Sequence, residues 1–336
     1  MKVYEVASPG TSETLTLRER PVPKPADGHV VVRVAACGLN LVDLLMMSGR
    51  YQMATHYPFI PGQEVSGIVS DVGVGVTSPK VGDRVAARCG EGAGLAQFVE
   101  TAAGNCVVIP DNIPPLSAAV FPISFGTADH FLHHHGHISK GDRVLVLGAA
   151  GAVGTAALQL CREAGAEALA LVSSPAKRDQ AIANGAADCL QTGDIDPQAE
   201  PAELSKRLKS FLGERRPDIV VDPVGGNWSE AALRNIAIGG RHLVLGFAAG
   251  IPRIPLNLAL VRRCRIIGDS FRAYCEQEPD AAHARFENLV NRLSTGALHA
   301  PAPAHVFDFE RSGEALQLLA DRATVGRVAV RVERDV

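Results

Sequence analysis

The chain has 336 residues, 46% hydrophobic and 21% charged, with a formal net charge of −3. That length accommodates two domains with a real core, and the composition is that of an ordinary soluble protein. The charge balance supplies no broad basic face of the kind nucleic-acid binding needs, no apolar run approaches the roughly 18 residues of a membrane span, and residues 1–16 lack the charged and apolar blocks of a signal peptide. Cys37, Cys89, Cys106, Cys161, Cys189, Cys264 and Cys275 are scattered, with no C-x-x-C pair. They point to free thiols in a reducing cytoplasm, against a disulfide framework and against a structural zinc site.

Three stretches differ in pattern. Residues 1–123 are rich in short β-like runs, at 29–36, 67–72, 83–87 and 106–109, separated by Pro, Gly and Asp. They predict a compact, mostly antiparallel β unit. Residues 124–260 alternate strand with helix: strands at 143–147, 168–172, 219–221 and 242–245, helices at 153–164 and 177–183. Unbroken apolar strands between helices predict a parallel sheet covered on both faces. Residues 261–336 hold a strand at 265–268, helices at 281–293 and 311–322, and a last strand at 327–332.

The strongest local signal is the run 144–154, VLVLGAAGAVG. A buried strand enters a glycine-rich turn that opens a helix, so that the backbone N–H groups of Ala150, Gly151, Ala152, Val153 and Gly154 can receive a pyrophosphate at the positive helix end. An ordinary tight strand–helix turn would share the pattern, but the alternating strand–helix context favours a dinucleotide. At the end of the next strand, about 20 residues on, an NAD site carries an acid against the ribose 2′-hydroxyl. Here the run is Ser173, Ser174, Pro175, Ala176, Lys177, Arg178, with no carboxylate before Asp179. Two hydroxyls with Lys177 and Arg178 suit a 2′-phosphate. The alternative is a solvated loop, although cations at a helix N-terminus oppose its dipole. The expected cofactor is NADPH.

These blocks, together with AACGLNLVD at 35–43, PGQEVSGIV at 61–69, VGDRV at 81–85, DPVGG at 222–226 and GGR at 239–241, resemble the medium-chain dehydrogenase/reductase superfamily. The resemblance is to its zinc-free quinone oxidoreductase (zeta-crystallin-like) branch and covers nearly the whole chain. It implies an α/β protein with a GroES-like β-rich catalytic domain and a doubly wound Rossmann domain. In that frame 1–123 is the first part of the catalytic domain, 124–260 the NADPH-binding domain and 261–336 the return to the catalytic domain. Where the zinc branch has Cys and His, this chain has Asn40 and Gln63, neither a normal zinc ligand. His133, His134, His135 and His137 read as a helix end or solvated face before a metal site, so no metal is expected.

The resemblance further places Asn40 near the nicotinamide ribose, braced by Asp43, with Thr127, Gly246 and Phe247 near the nicotinamide and Thr192 on the adenine side. Arg327 stands where the branch often has Lys, near the cofactor. Asp129 replaces a frequent Tyr. Tyr51, in SGRY at 48–51, matches the proton donor of similar enoyl reductases, the alternative being a wall residue. The implied activity is hydride transfer from NADPH to a small-molecule substrate, a quinone or an α,β-unsaturated carbonyl compound, with Tyr51 and Asn40 as catalytic residues. The alternatives are an enoyl or acryloyl thioester reductase, for which Arg262, Arg263 and Arg265 could receive a CoA phosphate, and an NADPH-binding protein with little turnover, crystallin-like or RNA-binding. The strand run at 266–268 suggests pairing in a homodimer.

Overall fold

The computed structural model describes residues 1–196, 199–321 and 324–333. The chain forms two compact units: Met1–Gly126 with Tyr274–Val336, and Thr127–Ala273.

The first unit is built on a seven-stranded sheet. Its strands lie in the order Pro303–Asp308, Arg327–Arg331, His29–Leu39, Glu64–Val72, Arg84–Arg88, Cys106–Val108, and Phe98–Ala102 pairs with His29–Leu39 off that path. All pairings are antiparallel except that of Pro303–Asp308 with Arg327–Arg331. His29–Leu39 is buried along almost its whole length because it sits at the centre. Its Val30, Val32, Val34 and Cys37 join Val65, Val69, Val85 and Val99 in one apolar cluster. The helix Pro279–Ser294 buries Ala282, Phe286, Leu289, Val290 and Leu293, an apolar stripe at helical spacing. The helix Ser312–Ala320 buries Ala315 and Leu316 in the cluster.

The second unit is a six-stranded parallel sheet. Its order is Ala186–Gln191, Glu167–Val172, Arg143–Val146, Ile219–Asp222, Arg241–Val244, Arg265–Gly268. The chain starts in the middle, winds outward to one edge, then returns to the middle and winds to the other. This is the doubly wound order, whose strand ends diverge at a switch point between the first and fourth strands. Val144, Leu145 and Val146 are fully buried there. The helices Ala152–Ala164, Pro175–Ala183, Pro201–Leu212 and Gly226–Asn235 follow strands in turn. Arg265–Gly268 bonds to Arg241–Val244 as the sixth parallel strand, so the second unit extends past residue 260 to Ala273.

The GroES-like sheet and the parallel sheet are those expected from the sequence. Several elements were not anticipated. Thr16–Glu19 is exposed at all four positions and so shows no alternation. Ala186–Gln191 is an edge strand with polar, exposed positions. The helix Pro201–Leu212 carries its signal in Leu204, Leu208 and Leu212, all buried at four-residue spacing. All seven cysteines are free thiols. Among the described residues no helix is long and apolar enough to cross a membrane.

Candidate functional site: an open helix terminus and a buried polar network

In the second unit, Arg143–Val146 runs through Leu147 into the turn Gly148-Ala149-Ala150-Gly151 and the helix Ala152–Ala164. Gly151 is the N-cap; it offers no side-chain cap, and the first turn holds no acid. The first-turn N–H groups of Ala152, Val153 and Gly154 therefore point out of the helix end without a side chain to receive them. Gly154 is what lets this helix lie so close to the turn. A Cβ there would fall 2.5 Å from Gly148 O and 2.6 Å from Ala149 Cα, both rigid backbone. A helix end with open N–H groups at the carboxyl end of a central parallel strand is an anion cradle.

The neighbouring strand Glu167–Val172 ends beside it, and the next residues are Ser173, exposed, and Ser174. Ser174 caps the helix Pro175–Ala183, its Oγ accepting from Lys177 N–H at 3.4 Å. Lys177 Nζ donates to Ser173 Oγ at 3.0 Å. A cation and a hydroxyl are thus gathered at the strand end, with Arg178 half-buried next to them. Thr192 N–H and Oγ1 both donate to Val172 O, which holds the end of Ala186–Gln191 against the same strand end. Ser174 is occupied as a helix cap; Ser173 and Lys177 face outward together.

Gly246 and Phe247 follow the strand Arg241–Val244 and are half-buried. Their loop is knitted to residues 222–226: Leu245 N–H donates to Asp222 O at 2.9 Å and Ala249 N–H to Val224 O at 2.7 Å. Asp222 is the buried anchor. Its carboxylate accepts from Val224 N–H at 3.0 Å, Gly225 N–H at 2.8 Å, Ser229 Oγ at 2.5 Å and His242 Nε2 at 3.0 Å. Burial pushes its carboxyl up, but the hydrogen bonds from His242, Ser229 and Gly225 outweigh that and hold it below the usual range. Thr127 lies half-buried in the helix Pro122–Asp129, and Asp129 Oδ1 stands 3.0 Å from His133 Nδ1.

In the first unit, Asn40 and Arg327 converge on a residue the motif reading left without a role, Glu64. Glu64 is completely buried. It accepts from Asn40 Nδ2 at 2.8 Å, from Ile123 N–H at 2.9 Å and from the Arg327 guanidinium. Arg327 also donates to Asn40 Oδ1 at 2.8 Å. Asn40 therefore has both ends of its amide committed. Asp43 braces the same loop: its carboxylate accepts from Asn40 N–H and Gly62 N–H, each at 2.8 Å. Gln63 donates to Met46 Sδ at 2.6 Å. The amides of Asn40 and Gln63 are thus both engaged by protein atoms. Tyr51 lies half-buried against the apolar cluster, in the loop after the helix Leu41–Met47. A signal for Glu64 was available, since an acid inside a run of strand residues at 63–69 must find a buried partner.

With this geometry in view, comparison with known proteins is decisive for the family. Residues 26–111 match the model of the alcohol dehydrogenase GroES-like domain and 152–293 that of the zinc-binding dehydrogenase. A quinone oxidoreductase-like protein 2 homolog of Nematostella vectensis is 31% identical over 91% of this chain and 82% of its own length. A probable quinone oxidoreductase of Schizosaccharomyces pombe is 30% identical over 99% of this chain and 98% of its own. A mycobacterial protein solved in complex with NADPH superposes with a TM-score of 0.88, at 26% identity, over 99% of this chain and 100% of that one. The chain belongs to the medium-chain dehydrogenase/reductase superfamily, in its quinone oxidoreductase-like branch.

The buried network has a consequence for stability. Burial is the largest influence on Asp43 and, against the N–H bonds from Asn40 and Gly62, lifts its carboxyl from 3.8 to about 7, with Glu64 adding to the rise. Between those values the folded protein keeps a proton that the unfolded chain releases. Stability contributed by Asp43 is therefore present at low pH and lost as pH rises from about 4 to about 7, by at most about 4 kcal/mol. Denaturant melts across that window should show the wild type losing this increment relative to Asp43→Asn. Parallel pH dependences for the two proteins would contradict the raised carboxyl.

Proposed function

We propose that this protein is an NADPH-dependent oxidoreductase that reduces a quinone or an α,β-unsaturated carbonyl compound without zinc. The observation that carries the reading is the uncapped helix N-terminus at Gly151–Gly154 beside the acid-free strand end where Lys177 and Ser173 meet. A pyrophosphate fits the first, a 2′-phosphate the second. The NADPH complex of the mycobacterial structural neighbour supports the same cofactor. Arg178, Thr192, Thr127, Gly246 and Phe247 are assigned to the remainder of the cofactor.

Bound NADPH would supply a hydride, and the protein's part is to orient and to manage protons. Asn40, fixed by Glu64 and Arg327, is assigned to the nicotinamide ribose. Arg327 takes a positioning role, its charge being committed to Glu64 and its hydrogen bonds to Glu64 and Asn40. For an enone, hydride adds to the β-carbon and the electron pair of the double bond moves toward the carbonyl. Tyr51 O–H then gives its proton to the α-carbon. For a quinone, the hydride would give a hydroquinone monoanion, which takes its second proton from solvent. Zinc independence is supported by Asn40 and Gln63, whose amides serve protein partners. We also infer a homodimer. The outer strand Arg265–Gly268 has one sheet neighbour, and Leu256, Leu260 and Val261 close by are 74%, 79% and 62% exposed.

Four outcomes test this. NADPH should be preferred over NADH, and Lys177→Ala should weaken NADPH alone, as read by fluorescence titration of both cofactors; equal losses would refute the 2′-phosphate role. In NADPH-oxidation assays over quinones, enones, enals and enoyl thioesters, with a chelator present, turnover should persist with at least one of the first three classes. Tyr51→Phe should slow enone reduction by about 10²–10⁴-fold, affect quinones less and leave NADPH affinity intact; little loss with either class would mark it as a wall residue, and equal loss with both would point to misplaced cofactor or substrate. Light scattering should give twice the chain mass, and a monomer at assay concentration would rule out the strand pairing.

A further inference from the structure

The histidine-rich segment after the helix Pro122–Asp129 is not an ordinary helix end. His130–His135 is a π-helical turn, closed by Gly136 N–H donating to Phe131 O at 2.7 Å across five residues. Gly136 makes the closure possible, because a Cβ there would stand 2.7 Å from Leu132 O and 3.1 Å from Phe131 O. In an α-helix, residues five apart point some 140° away from each other, since each residue turns the chain by about 100°. The wider π turn brings His130 and His135 onto one side. Such turns inside helices are frequent at functional sites.

Both imidazoles there meet Asp269, which follows the strand Arg265–Gly268. His130 Nε2 and His135 Nε2 each lie 2.7 Å from the same oxygen, Asp269 Oδ2. The other oxygen, Oδ1, accepts Ser270 N–H at 2.6 Å, which fixes the plane of the carboxylate. All three ligand atoms fall within 4.8 Å of one another. The three differ in exposure in a useful way. The His130 side chain is fully buried, His135 is 23% exposed and Asp269 31% exposed. One ligand is anchored and two can adjust, and the solvent side leaves a position for water. His134 stacks on His130 with ring centroids 5.1 Å apart and supports the anchored ring.

We propose that His130, His135 and Asp269 form a binding site for a borderline divalent transition-metal ion such as Zn²⁺ or Co²⁺, separate from the reductase chemistry. Two imidazole nitrogens and one carboxylate oxygen are the donor set these ions take, completed by water to four ligands. Binding requires the Nε2 lone pair of each neutral imidazole, so the proton that each ring offers to Asp269 moves to its own Nδ1, leaving the other neutral tautomer to hold the ion. Metal–ligand bonds of about 2.0–2.2 Å set ligand atoms roughly 3.3–3.6 Å apart in a tetrahedral site. The 2.7 Å spacings must therefore open by roughly 0.6–0.9 Å, a movement available to the two partly exposed side chains. The site does not rest on the functional reading given above. It uses none of the residues assigned to NADPH or substrate.

The test is metal binding by the full-length protein after exhaustive chelation and desalting. Zn²⁺ competition against a chromophoric chelator should give one tight equivalent. Co²⁺ should give visible d–d bands with no thiolate charge-transfer band, which distinguishes this site from the partly exposed Cys189 and Cys264. His135→Ala and Asp269→Asn should each weaken binding. Outer-shell partners of metal sites alone are worth about 10–100-fold, so losing a ligand should cost at least that. Cys189→Ser with Cys264→Ser should change nothing. His135→Gln, with circular dichroism and melting on every variant, provides a folded comparison should the alanine variant be unstable. The proposal is overturned if the wild type takes up no stoichiometric ion, if a folded His135 variant binds as tightly as wild type, or if cobalt shows thiolate ligation.

Discussion

A carboxylate with no exposure to water has to be neutralised by the protein, and Glu64 is such a group. Its cation comes from Arg327, 263 positions away in sequence. That requirement accounts for much in the first unit. Arg327 opens the strand Arg327–Arg331, which pairs with His29–Leu39 and carries Pro303–Asp308 on its outer side. The C-terminal part of the chain is thereby tied to the N-terminal sheet by a charge pair as well as by backbone bonds. Removing either partner would strand the other in a dry core, the situation in which buried pairs matter most.

The same carboxylate settles the orientation of Asn40. With Nδ2 on Glu64 and Oδ1 on Arg327, the amide cannot flip without losing both bonds. Asp43 holds the backbone of the same residue and of Gly62. Asn40 is therefore a polar side chain fixed in one orientation, with one Nδ2 donor and one Oδ1 acceptor site used by these bonds. The amides of Asn40 and Gln63 are both engaged by protein atoms, Glu64 for the first and Met46 for the second.

Legibility in the sequence followed the physics of each feature. The six parallel strands include long apolar runs because both faces are covered, so Arg143–Val146 and Ile219–Asp222 could be read directly. Strands with an open face or edge, such as Thr16–Glu19, carry little hydrophobic signal. The glycine turn was legible through its strand and helix context. Its tightest contact, Gly154 on Gly148 and Ala149, needed coordinates. Polar networks were the least legible. Glu64 and Asp269 find partners 263 and 139 positions away, which no local pattern encodes, and Asp222 adds His242, 20 positions on, to its local bonds. The histidine run was visible as a cluster, yet His130 and His135 share a partner only because the segment is π-helical, and nothing in its composition announces that.

The two units also differ in how they settle their polar groups. In the first, the charged and amide groups at 40, 43, 63, 64 and 327 close on one another, so the network acts as scaffold. In the second, the helix Ala152–Ala164 begins with donors that no side chain caps, and Ser173 and Lys177 pair in an exposed position. Open donors at a helix end cost little in water and gain strongly from an anion. Selection for a closed scaffold and for an open anion cradle leaves opposite residue choices: a buried acid with its own cation in one case, glycine and no acid in the other. That contrast, and not the glycine pattern alone, is what separates a cofactor-binding turn from an ordinary strand–helix connection.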